Sequence, residues 1–268
     1  MSSSASATTS ASGRMPLMFL GHGNPMNALD DNRFTQSWAR LGQMAGKPRA
    51  ILMISAHWQT RGIAVTALEQ PPTIHDFGAF PQALFDVRYP APGSMQLAQR
   101  VQQLLAPQEV TLDKSWGFDH GTWSTLVHAY PQADVPVVQL SMNRVADHRF
   151  HFEIGQKLQA LRDEGVLIIG SGNVVHNLGR MSWQDQNAEF DWARSFQDLV
   201  CRQIELDQPE PLFDYAALGT AANLSVPSAD HYLPLLYVLG ARHAEDSLSF
   251  ETPEIQHGSL SMMSVVFR

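Results

Sequence analysis

Eleven histidines and a single cysteine decide which chemistry is open to this chain. Three of the histidines follow short apolar runs. Leu17–Leu20 leads into Gly21-His22-Gly23-Asn24-Pro25, and Ala50–Ser55 leads into Ala56-His57-Trp58. Val166–Ile169 leads into Gly170-Ser171-Gly172-Asn173, with His176 shortly after. If these runs are parallel strands, all three imidazoles emerge at one edge of one sheet. That carboxyl edge is where open α/β sheets bind ligands. Gly21, Gly23, Ala56, Gly170 and Gly172 would let the backbone approach a bound group closely.

Other histidines have weaker settings. His231 lies in Ser228-Ala229-Asp230-His231-Tyr232 ahead of the apolar run LPLLYVLG. Ser228 is expected to cap a helix whose first turn holds Asp230 and His231. In the plainer alternative, Asp230 only complements the helix dipole. His120 sits in Trp116-Gly117-Phe118-Asp119-His120-Gly121, either a pocket wall or a helix cap followed by a first-turn residue. His75 lies in a proline-rich loop that could form a lid. His128, His148, His151, His243 and His257 are read as structural or solvated. Cys201 falls within a predicted helix with no activating neighbour and is read as an inert thiol.

Several chemistries are excluded. One cysteine allows no intramolecular disulfide and no paired-cysteine zinc site. The dinucleotide fingerprint fails because position 26 is Met, and there is no P-loop or H-E-x-x-H. Gly170-Ser171-Gly172 is not a nucleophile elbow. A metal in this chain must therefore be held by imidazole and carboxylate. Such sites suit zinc, which activates water for hydrolysis, or non-haem iron(II), which handles oxygen. Spacing does not separate the two, and a non-catalytic metal-binding protein is a third reading.

The elements that must position these groups alternate along the chain. Strands are predicted over 17–20, 50–55, 63–68, 135–140, 166–169 and 260–267. Helical spacing covers 30–44, 94–105, 123–130, 147–162 and 189–204, with a proline- and glycine-rich loop over 70–93. This pattern predicts an α/β fold: a single three-layer domain with a central, mostly parallel mixed sheet and helices on both faces. Residues 15–268 form that one catalytic domain, and residues 1–14, rich in Ser, Ala and Thr, a disordered tail. The 268 residues are 44% hydrophobic and carry 18 Lys+Arg against 26 Asp+Glu, a net charge of −8. An acidic balance argues against nucleic acid as partner, and no apolar run is long enough to span a membrane. The lone cysteine and the lack of a signal-like segment point to the cytoplasm. Composition does not give the oligomeric state.

Six segments carry a likeness to known proteins. They are GHGNPMNAL (21–29), SAHWQTRG (55–62), PPTIHDFGAFP (71–81), WGFDHGTW (116–123), SGNVVHNL (171–178) and HYLPLLYVLGA (231–241). Through them the chain resembles the class III extradiol ring-cleavage dioxygenases, and within these the bacterial 4,5-DOPA extradiol dioxygenase group. The resemblance implies one divalent metal ion held by His22, His57 and His231. The last stands where the wider superfamily has a carboxylate, with Asp230 beside it. It implies His176 at the same site, as a fourth ligand to zinc or as the acid–base residue beside iron. It implies His120 as a hydrogen-bonding catalytic residue, with Trp58, Phe77 and Trp116 as ring walls. Iron(II) is the ion implied for oxygen chemistry, and zinc an ion that could fill the site in isolated protein. The implied substrates are O₂ and a catechol such as L-DOPA, opened beside its diol to a yellow semialdehyde.

Overall fold

The computed structural model describes residues 13–268. Ten strands occur among them: β1 Leu17–Gly21, β2 Ala50–Thr60, β3 Ile63–Thr66, β4 Val110–Asp113 and β5 Val137–Asn143. The others are β6 Val166–Gly172, β7 Leu248–Glu251, β8 Ile255–Gln256, β9 Leu260–Ser261 and β10 Ser264–Phe267. Eight build one sheet in the order β4-β3-β5-β2-β6-β1-β10-β7, while β8 and β9 pair separately. The central run is parallel: β5 with β2, β2 with β6, and β6 with β1. Antiparallel pairing enters where β3 meets β5 and where β10 joins β1 and β7.

Both faces of the sheet are covered, and strand alternation shows why. Leu52 and Ile54 belong to one apolar core, and Ile51 and Met53 to the other. Successive side chains on a strand point to opposite faces. The first core takes in Val101 of the helix Met95–Leu105, Leu158 of His148–Leu158, Val200 of Asp191–Glu205 and Leu236 of Leu233–Ala241. The second takes in Trp38 of the helix Arg33–Ala45 and Leu126 of His120–Ala129. This is the expected single α/β domain with helices on both faces.

The boundaries differ from the sequence reading in informative ways. Strands β4 and β7 were not foreseen. They are the two sheet edges, only partly buried, and their mixed residues VTLD and LSFE carry no apolar run. The single strand expected over 260–267 is two strands, β9 and β10, in different sheets. Ser228 does not cap a helix. Its hydroxyl donates to Asp230 Oδ1 (2.8 Å), and the helix begins only at Leu233, with Pro in its first turn. The expected tail lies mostly outside the described residues, but Arg14 pairs with Asp163 and Glu245. No helix among the described residues is long and apolar enough to cross a membrane.

Candidate metal centre and substrate cavity

Strands β2, β6 and β1 lie side by side and parallel, so their carboxyl ends share one edge. His22 directly follows β1. His57 is not past the end of its strand but within β2, in the stretch between Ile54 and Gln59 where the pairing with β5 shifts register. Such an irregularity re-aims side chains locally, and here it accompanies a histidine at the sheet edge. His231 arrives from the turn before Leu233–Ala241. Its carbonyl accepts a hydrogen bond from Asn173 N (2.8 Å) at the end of β6. Gly172 makes that docking possible, because a Cβ there would lie 2.2 Å from the His231 carbonyl oxygen.

The ligand-capable nitrogens of His22, His57 and His231 all lie within 4.8 Å of one another. Their far nitrogens have oxygen neighbours. His22 Nδ1 is 3.0 Å from Ser171 Oγ, and that hydroxyl donates its proton to Gly121 O at 2.6 Å. Ser171 can therefore only accept from His22, which puts the His22 proton on Nδ1 and leaves Nε2 bare. His57 Nδ1 faces Asp76 Oδ2 at 3.4 Å, and His231 Nδ1 faces Asp230 Oδ1 at 3.4 Å. Histidines that bind metals are oriented by acceptors of this kind. The Nε2 atoms of His22 and His57 are 3.2 Å apart. Two bare nitrogens that close, in a site only 1% exposed at His22, form a donor set that a cation would satisfy.

Electrostatics agree with that fit. Burial, reinforced by the neighbouring imidazoles, pushes His22 and His57 far below the usual histidine range. Both are thus neutral, the form that donates a lone pair. Burial also tends to raise the Asp76 pKa, but hydrogen bonding and charge from His120 outweigh it and keep the carboxyl low. For Asp119, burial and then the charge of Asp76 push the pKa up to about 6. Asp119 accepts from Ser55 Oγ (2.6 Å), Gln139 Nε2 and Thr122 N, so it braces the site from below.

His120 and His176 face the same space without joining the three-nitrogen cluster. Asp119 does cap the helix His120–Ala129, yet His120 is no ordinary first-turn residue. Its Nδ1 is 3.0 Å from Asp76 Oδ1, and its ring centroid is 3.8 Å from that of His57. His176 lies flat against His231. Burial, and then His231, push its pKa down to about 3. Asp230, behind His231, is outside this space and borders a separate hollow with Gln59 and Asn143.

A cavity of about 260 Å³ opens over His57, His120, His176 and His231. Phe77 lines it as expected, together with Phe80 and Trp183, but Trp58 and Trp116 do not. Those two stack on each other, centroids 5.7 Å apart. His75 is not in the lining either. It faces the Val87 carbonyl (3.2 Å) among Phe77, Phe85 and Trp123. His128, His148 and His257 are fixed to backbone carbonyls. Burial pushes the Cys201 thiol up to about 12, in keeping with an inert role.

Residues 16–267 match the family described as the catalytic LigB subunit of aromatic ring-opening dioxygenase. A protein of Escherichia coli K12 named 4,5-DOPA dioxygenase extradiol is 52% identical over 95% of both chains. The chain belongs to the LigB family. One of the same name from Beta vulgaris is 40% identical over 83% of this chain and 85% of its own. The crystal structure of an uncharacterized Escherichia coli K12 protein superposes with a TM-score of 0.84 at 46% identity, covering 95% of this chain and all of that one. This LigB-family chain is thus an extradiol ring-cleavage dioxygenase, which decides between the oxygen and hydrolytic chemistries that spacing left open. Asp76 is the site residue that sequence reasoning missed. Its signals were its place beside His75 in the proline-rich loop and within the matching segment PPTIHDFGAFP.

Proposed function

We propose that His22, His57 and His231 hold a single iron(II) ion, and that the enzyme opens catechols such as L-DOPA beside the diol, by 4,5-cleavage. The observation that carries this reading is the convergence of three imidazoles, each with its far nitrogen beside an oxygen. Bound iron would supply the redox chemistry that brings O₂ and catechol together. Zinc suits the same donors and could occupy them in isolated protein.

The chain's own residues do the rest. The floor of histidines receives the two phenolic oxygens, and Phe77 and Phe80 flank the ring. Neutral His176, in the cavity lining, accepts a phenolic proton as general base. His120, steered by Asp76, hydrogen-bonds the reacting oxygens. The apolar walls limit access of water. Both atoms of O₂ end in the product, so no external reductant is needed. The lone Cys201 fits a reducing, cytoplasmic setting.

The test is anaerobic loading with iron(II), followed by L-DOPA or another catechol and then air. The expected result is one O₂ consumed per catechol and a yellow semialdehyde. No O₂ uptake and no product across a catechol panel would reject the proposal and favour a binding protein.

A further inference from the structure

The cavity has a floor of histidines and mostly apolar walls; Asn24 is the one polar wall residue, and its Oδ1 already accepts from Met26 N at 2.9 Å. At the floor His120 and His231 are buried and His57 and His176 partly buried, whereas Leu178 is 54% and Trp183 72% exposed, so these two mark the mouth. Phe77, Phe80, Met181 and Leu260 lie between. Among the described residues no Lys, Arg, Asp or Glu lines this space. The nearby carboxylates are engaged elsewhere: Asp76 between His57 and His120, and Asp230 by Ser228 and the far side of His231. Arg180, beside Met181, is exposed and outside the lining.

We propose, resting on the ring-cleavage reading above, that this enzyme selects catechols whose ring substituent is uncharged and apolar. Leu178, Met181 and Trp183 grip that substituent. With the diol on the histidine floor, the opposite side of the ring faces the mouth, and a side arm must run along these walls. An apolar arm gains roughly fourfold in binding per methylene removed from water. The ammonium and carboxylate of an amino-acid arm would lose hydration there and meet no counter-charge. L-DOPA is therefore turned over, but as a poorer substrate than a neutral catechol of equal length.

The test compares four catechols of matched arm length on the iron-loaded full chain. They are 4-propylcatechol (neutral), dopamine (cationic), 3-(3,4-dihydroxyphenyl)propanoate (anionic) and L-DOPA (zwitterionic). Calorimetry on zinc-loaded protein measures binding of the same four without turnover. The expected result is kcat/KM and affinity at least tenfold higher for propylcatechol than for each charged compound. Trp183→Ser should shrink the propylcatechol-to-L-DOPA ratio at least threefold. Equal or better use of a charged catechol overturns the inference, most directly if Arg180→Gln abolishes that preference. If none of the four turns over, the ring-cleavage reading fails, and the calorimetric series still decides the selectivity.

Discussion

The imidazole of His176 lies on that of His231 with ring centroids 3.5 Å apart and planes within 4°. One residue of the proposed metal trio thus carries the proposed base on its face. The two should respond differently to removal. His176→Ala is expected to keep its metal and lose about 10²–10⁴-fold in kcat, the usual contribution of a general base. His231→Ala is expected to lose the metal itself. Metal content after dialysis, measured beside turnover, separates them. Equal metal loss in both variants would make His176 a ligand instead.

Asp76 stands between two histidines, 3.4 Å from His57 Nδ1 and 3.0 Å from His120 Nδ1, and its Oδ1 also accepts from His120 N at 2.8 Å. Removing its charge should release both rings. Asp76→Asn is expected to weaken metal binding by about 10–100-fold, as for other carboxylates behind metal-binding histidines. A chelator competition assay measures this. Unchanged affinity would show that the carboxylate serves His120 alone.

What was legible in the sequence followed the buried strands. His22 stood out because β1 is a short apolar run ending in glycine. The same logic found β2 but misjudged its length, since the register shift around His57 leaves no compositional mark. His231 could not be found this way. It reaches the site by backbone docking onto Gly172, a contact between segments far apart in the chain. Asp76 was hidden because its loop reads as proline-rich, and its meaning comes from partners on β2 and on the helix His120–Ala129. Trp58 and Trp116, which the resemblance implied as ring walls, instead stack on each other outside the cavity lining.

The Gly172 contact carries its own prediction. A methyl at this position must displace the His231 backbone, because the clash is with a carbonyl oxygen and not with a flexible side chain. Gly172→Ala is expected to cost about 1–3 kcal/mol of stability, the usual range for overpacking. Metal affinity should fall with it, because His231 moves. Thermal melts of the metal-free and zinc-loaded forms measure the two effects. A variant that loses stability yet keeps full metal-induced stabilisation would show that the backbone shift bypasses His231.

His151 is fully buried, and its Nδ1 is 3.0 Å from Tyr237 Oη. Burial pushes its pKa from the ordinary 6.5 down to about 4. The folded chain therefore keeps this ring neutral in a range where the unfolded chain protonates it. Stability from this group is full above pH ~6.5, falls as pH drops below that value, and stops falling near pH 4. A gap of that size corresponds to about 3 kcal/mol at the acid end. Gln at this position can also hydrogen-bond Tyr237 but takes up no proton. His151→Gln should thus lose less stability than the parent between pH 7 and pH 4.5, by about 2–3 kcal/mol. Urea unfolding of both proteins at the two pH values gives this difference directly. A parallel loss in parent and variant would mean that other buried histidines set the acid limit.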